Sequence, residues 1–313
     1  MAPNLPTKVG LGPVGSLPTA MASKGAARRN LAPQNSLRHA ATVLLLAPLL
    51  FAAAAPAAQK STLIRDVELC NGDADTPADA RITGCSALIK GHSGSPKVTA
   101  IAYNNRAIAY ASKGEYDLAI QDYDNAIKVN SADPKLLNNR GVAYQKKGDY
   151  GRAIQDFNAA LGVDPDYAIA LVNRAEAYER INDYGRALAD LDTAIRLQPS
   201  SPASWNGRCW IRAVTGALQD ALADCNEAIR LEGNVAARFD SRGFVHFRLG
   251  RWESAIADYN SALRLQPDLA SSLYGRGLAK LKIGDLSGGN SDIAAARRLQ
   301  SNIAAEFARN GVQ

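Results

Sequence analysis

The stretch NRGVAYQKKGDYGRAIQDF, which spans residues 139–157, decides how the chain folds. Its second residue is an Arg that recurs at a constant spacing over most of the sequence. Similarity within a chain at a period of about 20–50 residues indicates a repeat protein, in which each copy is one supersecondary unit. The six recurring arginines are Arg106, Arg140, Arg174, Arg208, Arg242 and Arg276.

The residues around the recurring Arg keep their size and type from copy to copy. A small residue follows it, and eight residues past it stands a Gly or Asn, a residue that can adopt positive φ and end a helix. The pattern predicts two antiparallel helices in each copy, packed closely through small residues and covered by the next copy. The helix-ending residues are Gly114, Gly148, Asn182, Gly216, Gly250 and Gly284.

These residues resemble the tetratricopeptide repeat, and the match covers residues 100–303. The resemblance implies an all-α fold, a right-handed α-solenoid (superhelix) of six helix-turn-helix repeats with helical caps. In the sixth repeat, Gly288, Gly289 and Asn290 weaken the second helix. The expected domains are a leader (1–57), an N-terminal helical cap (58–99), the repeats (100–133, 134–167, 168–201, 202–235, 236–269, 270–303) and a C-terminal cap (304–313).

Most of the net positive charge comes from the leader. The chain has 36 Lys and Arg against 30 Asp and Glu, and residues 1–57 hold five of the basic residues and no acidic one. The remainder is therefore close to neutral and offers no bulk attraction for a phosphate backbone. No nucleic-acid partner is expected.

The leader has the organisation of a secretory signal. An apolar core runs from Thr42 to Phe51, after a basic stretch that ends near His39. Small residues lie three and one before a cut after Ala57, which predicts a periplasmic or secreted protein. Met21 is an alternative start. The alternative location is the inner membrane, anchored by residues 40–58, which approach the ~20 residues that a spanning helix needs. A membrane contact is expected only if this segment is retained.

Each recurring Arg is matched by an Asp sixteen residues later. We expect each Arg and Asp to form a partly buried ion pair between the two helices of a repeat. A structural role fits better than ligand binding, because the pair occurs in every copy. The acidic partners are Asp122, Asp156, Asp190, Asp224, Asp258 and Asp292.

The four cysteines form two local pairs, Cys70 with Cys85 and Cys209 with Cys225. Cys209 and Cys225 lie eight residues before and after Ala217, where the turn of the fourth repeat is expected, so they are level on facing helices. The sequence around them also resembles a version of the repeat found in exported bacterial members. In an oxidising periplasm we expect a disulfide in each pair. The alternative is four small buried thiols.

Asparagines precede the recurring Arg in the first three repeats. In tetratricopeptide superhelices the first helices line the concave groove, and the resemblance implies that such an Asn pairs with the backbone of an extended peptide. Lys146 and Arg180 are expected to line the same groove and to favour an acidic segment. The alternative is a solvated polar face. The asparagines are Asn104, Asn105, Asn138, Asn139 and Asn173.

The sequence contains no recognisable catalytic constellation. His92 falls in a loop from His92 to Pro96, and His246 takes a place where other repeats have a core Tyr. Without a Cys-x-x-Cys motif, no metal site is expected, and no cofactor either. The predicted function is a non-enzymatic protein–protein interaction scaffold in the bacterial envelope that binds an extended peptide or partner protein in the concave groove. Alternatives are an assembly scaffold that uses its outer face, and an enzyme with a hidden site.

Overall fold

The structure, a computed structural model, describes residues 57–73, 75–91 and 95–312. The leader before Ala57, with Met21 and His39, lies outside this part, as does His92. The described residues form fifteen helices and no strand, which confirms the predicted all-α solenoid of helical repeats. None of the described helices is both long and apolar enough to cross a membrane.

Two helices form each repeat, a first helix and a second helix. Repeats one to six comprise α3–α4, α5–α6, α7–α8, α9–α10, α11–α12 and α13–α14. The helices are α1 (Ala57–Asn71), α2 (Ala78–Gly91), α3 (Pro96–Ser112), α4 (Tyr116–Val129), α5 (Pro134–Lys146), α6 (Tyr150–Val163), α7 (Ala168–Arg180), α8 (Tyr184–Leu197), α9 (Pro202–Thr215), α10 (Leu218–Leu231), α11 (Ala236–Arg248), α12 (Trp252–Leu265), α13 (Ala270–Lys282), α14 (Leu286–Leu299) and α15 (Ile303–Arg309).

Helix α3 begins earlier than the repeat pattern predicts. The sequence predicts a loop that includes Pro96 and a first repeat from residue 100 onward, yet Pro96 is the first residue of α3. Proline suits this place because the first helical residue needs no backbone N–H donor and has a φ that proline already favours. The extra turn carries Val98, which packs with Ala102 of the first repeat against Cys70, Cys85 and Leu88. The cap therefore shares a core with the first repeat.

The described chain divides into two compact units. The N-terminal unit comprises residues 57–170, and the C-terminal unit residues 171–312. Within the N-terminal unit, α1 packs on α2, α2 on α3, and each first helix on the second helix of its own repeat. Within the C-terminal unit, the hairpins α9–α10, α11–α12 and α13–α14 repeat the same packing.

The six predicted helix-ending residues all have positive φ, between 60° and 95°. Asn182 is the one residue among them with a side chain, and Asn tolerates this region better than most residues. In the described part of the chain no other non-glycine residue has positive φ. The turn between the two helices of each repeat therefore uses the same left-handed backbone conformation, and each repeat has a Gly or Asn that can adopt it.

Close helix packing explains Gly289 of the sixth repeat. Helix α14 runs without interruption through Gly288, Gly289 and Asn290. A Cβ at Gly289 would lie 2.7 Å from Leu281 Cδ2 and 2.8 Å from the Gly277 carbonyl oxygen. Ala, which stands at this place in the other repeats, would not fit without movement of α13. The loss of helix propensity at Gly289 therefore accompanies a closer approach of the two helices.

The recurring Arg binds the Asp of its own repeat in a bidentate arrangement in all six repeats. Nε lies 2.7–2.9 Å from one carboxylate oxygen and Nη2 lies 2.7–2.8 Å from the other. The Asp residues are only 2–8% exposed. Two parallel charge-assisted hydrogen bonds fix both the distance and the orientation of the paired helices.

In repeats two, four, five and six the remaining guanidinium nitrogen joins the Arg to the preceding repeat. Arg140 Nη1 donates to Asp124 Oδ1 at 2.6 Å, and Arg208 Nη1 donates to Asp192 Oδ1 at 2.7 Å. In later repeats an amide takes this role, as in the 2.9 Å bond from Arg242 to Asn226 Oδ1. Each partner lies sixteen residues before its Arg. The Arg is therefore a link between repeats as well as within one, and this second link was not predicted from the sequence.

Repeats four and six add a second cation to the same carboxylate. Arg212 Nη1 lies 2.7 Å from Asp224 Oδ2, and Lys280 Nζ lies 2.9 Å from Asp292 Oδ2. His246 holds the equivalent place in the fifth repeat, 3.7 Å from Asp258, with a side chain that is 15% exposed. Burial lowers the pKa of this His, partly offset by the negative charge of Asp258. The first three repeats have Tyr at this place.

Both cysteine pairs lie at disulfide distance. Cys70 and Cys85 connect α1 to α2 with their Cα atoms 4.5 Å apart, and Cys209 and Cys225 connect α9 to α10 at 5.3 Å. All four side chains are fully buried, and no cysteine of the described chain is left free. Each bond closes one helical hairpin.

Replacing Arg174 by Ala is expected to destabilise the protein by about 3 kcal/mol, since removing one partner leaves the buried Asp190 carboxylate uncompensated. The measurement is thermal unfolding followed by circular dichroism. The matched control is Arg230→Ala, because Arg230 pairs with Glu227 on an exposed surface and should leave the midpoint unchanged. Equal midpoints for wild type and Arg174→Ala would rule out the stapling role.

Mass spectrometry after alkylation under denaturing conditions should find no modified cysteine before reduction and four after it. The double variant Cys209→Ala/Cys225→Ala should lose about 3 kcal/mol of stability, as expected for a bond that closes a loop of this length. Alkylation of any cysteine in the unreduced protein would show that its pair is not bonded.

Candidate functional site

A pocket of about 520 Å³ lies between the first helices of repeats one and two. Its volume is in the range of ~300–1,000 Å³ that is common for ligand sites. Helix α3 contributes one continuous face, and the loop before α5 closes one end. The lining residues are Pro96, Lys97, Ala100, Ile101, Asn104, Asn105, Val129, Asn130, Asp133, Lys135, Leu136 and Asn139.

The pocket brings together three of the five asparagines that the sequence predicts as peptide contacts. Asn104 Nδ2 donates to Asn105 Oδ1 at 3.2 Å, and Asn139 Nδ2 donates to Asn104 Oδ1 at 3.4 Å. Asn138 joins the chain outside the pocket lining, with Nδ2 donating to Asn139 Oδ1 at 3.5 Å. Asn105 Nδ2 in turn donates to Asn71 Oδ1 at 3.4 Å. Five amides therefore form one hydrogen-bonded chain, which we call the amide ladder.

The geometry of the amide ladder suits exchange of partners. Its bonds of 3.2–3.5 Å are longer than the ~2.9–3.0 Å typical of N–H···O bonds, so each is weak. Asn104 is half-buried, whereas Asn105 and Asn139 are buried in the pocket wall. An Asn amide offers two N–H donors and an oxygen with two lone pairs. A single donated bond and a single accepted bond therefore leave part of its hydrogen-bonding capacity for a ligand. A peptide backbone presents the same N–H and C=O groups, so the ladder can bond to an extended backbone without reading its side chains.

Asn71 is a ladder member that was not predicted from the sequence. It stands 34 residues before Asn105, so the period that identifies the repeats extends one step into the cap. The signal was present in the spacing. It was hidden because the cap helices do not share the boundaries of the repeat helices.

Two lysines lie at the rim of the pocket. Lys97 is at the start of α3 and Lys135 at the start of α5, and both side chains are exposed. Asp133 is the one acidic residue in the lining. The rim is therefore positive by one charge, which favours an acidic ligand.

The other residues predicted from the sequence as peptide contacts are not part of this pocket. Lys146 is half-buried at the C-terminal end of α5, whereas the lining lysine of that helix, Lys135, is near its start. Asn173 and Arg180 belong to α7 in the C-terminal unit, where both are half-buried.

The C-terminal unit carries large aromatic residues on its first helices. Trp210 on α9 and Phe244 on α11 are one repeat period apart, and their ring centroids are 5.0 Å apart. Trp210 Nε1 also donates to Glu179 Oε1 on α7 at 3.0 Å. Burial raises the pKa of Glu179, against the effect of the Trp210 hydrogen bond. This aromatic stripe was not predicted, although two large aromatics at equivalent places in successive repeats could have shown it.

The described residues contain no group of three or more His, Cys, Asp or Glu side chains arranged to hold a metal ion. Tyr123 and Tyr259 are buried titratable side chains of the second helices α4 and α12, and burial raises the pKa of both above the ordinary tyrosine value. These are packed core groups that keep their protons, and neither lines the pocket.

Two family models match the sequence. One family model, described as a tetratricopeptide repeat, matches residues 138–202 and 174–235. A second, described as a TPR repeat, matches residues 107–148 and 243–284. Together the matches cover more than half of the chain. The chain belongs to the tetratricopeptide repeat proteins. No curated protein matches its sequence significantly.

Solved structures of repeat proteins share this fold at low sequence identity. A tetratricopeptide repeat protein from Parabacteroides merdae has a TM-score of 0.64 at 18% identity, covering 80% of this chain and 99% of that one. PilF from Pseudomonas aeruginosa has a TM-score of 0.58 at 16% identity, covering 68% and 98%. The Thermus thermophilus protein TTC0263 has a TM-score of 0.51 at 22% identity, covering 58% and 99%. At these identities the likeness concerns the fold alone.

Proposed function

We propose that this tetratricopeptide repeat protein is a non-enzymatic interaction scaffold of the bacterial envelope that binds an extended peptide along its first helices. The observation that carries the proposal is the amide ladder beside the pocket of the N-terminal unit. Membership of the family supports a protein-interaction scaffold in general. The ladder supports the peptide in particular, because its amides match the hydrogen-bonding groups of a backbone.

The peptide is expected to run past Asn104, Asn105 and Asn139. Neighbouring helices ~8–10 Å apart match about three extended residues at ~3.3 Å each, so one backbone can reach asparagines on successive helices. Lys97 and Lys135 favour an acidic residue in this segment. Asn138, Lys146, Asn173 and Arg180 remain proposed peptide contacts, each on the first helix of its repeat.

Export is the second part of the proposal. Both cysteine pairs lie at disulfide distance, and disulfides persist in oxidising compartments such as the periplasm. The signal-like leader points the same way. A periplasmic or secreted protein with cleavage after Ala57 is favoured over a protein anchored by residues 40–58.

Peptide display against the purified chain, followed by affinity measurement, tests the groove. The variant Asn105→Ala/Asn139→Ala/Asn173→Ala should bind the selected peptides at least about 10-fold more weakly, because each lost hydrogen bond is worth about 0.5–1.5 kcal/mol. The matched control is Gln121→Ala/Gln155→Ala, which removes two exposed amides from the second helices α4 and α6. Unchanged affinity in the asparagine variant, with a loss in the glutamine variant, would support an outer-face scaffold instead.

Amino-terminal sequencing of the protein recovered from a producing bacterium tests export. The expected product is a periplasmic or secreted chain that starts at Ala58. A leader that is still present in a cytoplasmic product would contradict the localisation and leave the binding proposal standing.

A further inference from the structure

The C-terminal segment, residues 303–312, contacts the first helices of the C-terminal unit. Helix α15 forms where the sequence predicts a terminal helix, but its contacts extend from the sixth repeat back to the fifth. Phe307 lies 4.8 Å from the Tyr274 ring on α13 and 6.0 Å from the Phe244 ring on α11. The helix itself packs on α13 and α14, and Phe307 additionally reaches α11 in the fifth repeat.

A hydrogen bond holds the end of the segment to the fifth repeat. Arg248 Nη1, on α11, donates to the Asn310 carbonyl oxygen at 2.8 Å and lies 3.4 Å from the Ala213 carbonyl oxygen on α9. A Cβ at Gly311 would lie 3.1 Å from the same nitrogen, so glycine allows the backbone to approach. The segment therefore contacts the first helices of repeats five and six, and Arg248 links it indirectly to repeat four.

One face of the segment provides its buried contacts. Ile303, Glu306 and Phe307 are spaced i, i+3, i+4, and each is no more than 5% exposed. The spacing places them on the same face of the helix. Phe307 extends the aromatic stripe of Trp210 and Phe244, so this stripe already has an occupant.

The segment satisfies its own helix end. Val312 N–H donates to the Phe307 carbonyl at 3.0 Å and Gly311 N–H donates to the Ala308 carbonyl at 3.1 Å, with Gly311 at a φ of +80°. This is a Schellman motif, which completes a helix terminus with local bonds. The docked segment therefore has the local structure of a short helical ligand that is tethered to its own binding surface.

Docking places a carboxylate in a buried environment. Burial raises the pKa of Glu306 to about 7, and the nearby Asp240 adds to this effect. A hydrogen bond from Gln300 and the charges of Arg309 and Arg180 oppose it. Arg248 and Tyr274 face the segment as well. Because the docked pKa is above the free value, docking is favoured at low pH and weakens as the pH rises from about 4.5 to about 7.

We propose that the first-helix face of the C-terminal unit is a second binding site, for a short amphipathic helix with an apolar residue, an acid and an aromatic at i, i+3 and i+4, and that residues 303–312 occupy it in cis. The side chains of the docked segment indicate which side chains a partner helix would need. A partner helix from another protein must displace the tethered segment to bind. The proposal stands on the C-terminal unit alone and is independent of the amide ladder.

Binding of a labelled peptide that corresponds to residues 301–313 tests this site. By fluorescence anisotropy, a chain that ends at Gln300 should bind the peptide at least about 10-fold more tightly than the full chain, in which the tethered copy competes at a millimolar effective concentration. A Phe307→Ala peptide should bind at least about 10-fold more weakly. The matched control is an Ala305→Ser peptide, changed at an exposed position of α15, which should bind normally. Tighter binding at pH 5 than at pH 8, abolished in a Glu306→Gln peptide, is expected too.

Equal peptide affinity for the two chains, or none for a truncated chain that is still folded, would overturn the proposal. A second variant covers a truncated chain that does not fold. A protease site replacing residues 300–302 of the full chain allows the segment to be cut after folding. Exchange of the cut segment with labelled peptide, with helical content retained, supports a displaceable occupant. Loss of helical content on cutting would make the segment a structural cap and refute the proposal.

Discussion

The bidentate bond between each recurring Arg and its Asp is the interaction on which the rest of the structure depends. Tetratricopeptide hairpins pack through small side chains, which bring two backbones close but do not fix their relative rotation. The guanidinium fixes this rotation, because its planar pair of N–H donors binds a carboxylate in one orientation. In repeats two, four, five and six its third nitrogen also engages the preceding repeat, so that one side chain sets both helix pairing and repeat stacking there. The first helices, and the chemistry that they carry, are positioned as a result.

The fold could be predicted from the sequence because its determinants recur. The repeat period, the helix-ending residues from Gly114 to Gly284 and the Arg–Asp spacing are all present in six copies, and the helices follow them closely. The bonds from Arg140 to Asp124 and from Arg208 to Asp192 were not predicted, because they join residues of different copies. The docking of α15 could not be predicted from a local pattern either. A short amphipathic helix could pack on many apolar surfaces. The contact between Phe307 and Tyr274 is seen only in the three-dimensional structure.

The candidate site could be predicted in part, and for a physical reason. Asn104, Asn105 and Asn139 stand out because a buried or half-buried amide on a first helix has little structural value unless something pairs with it. Lys97 and Lys135 carry no comparable mark, since exposed lysines are common on helices that face solvent. The two units also differ in chemistry: one offers amides and lysines, the other aromatics and a buried acid. A single rule for groove residues, drawn from the first three repeats, therefore could not describe both.

An evolutionary consequence follows where one guanidinium is shared between residues sixteen before and sixteen after it, as at Arg140, Arg208, Arg242 and Arg276. Donor and acceptors return in the same order once in every period, so a duplicated copy of one whole period joins the array with every bond intact. An insertion of any other length inside a helix would move either the acceptor before the Arg or the acceptor after it out of reach. Such a protein can lengthen or shorten by whole copies, and each new copy is then free to diverge in the few side chains that face a ligand.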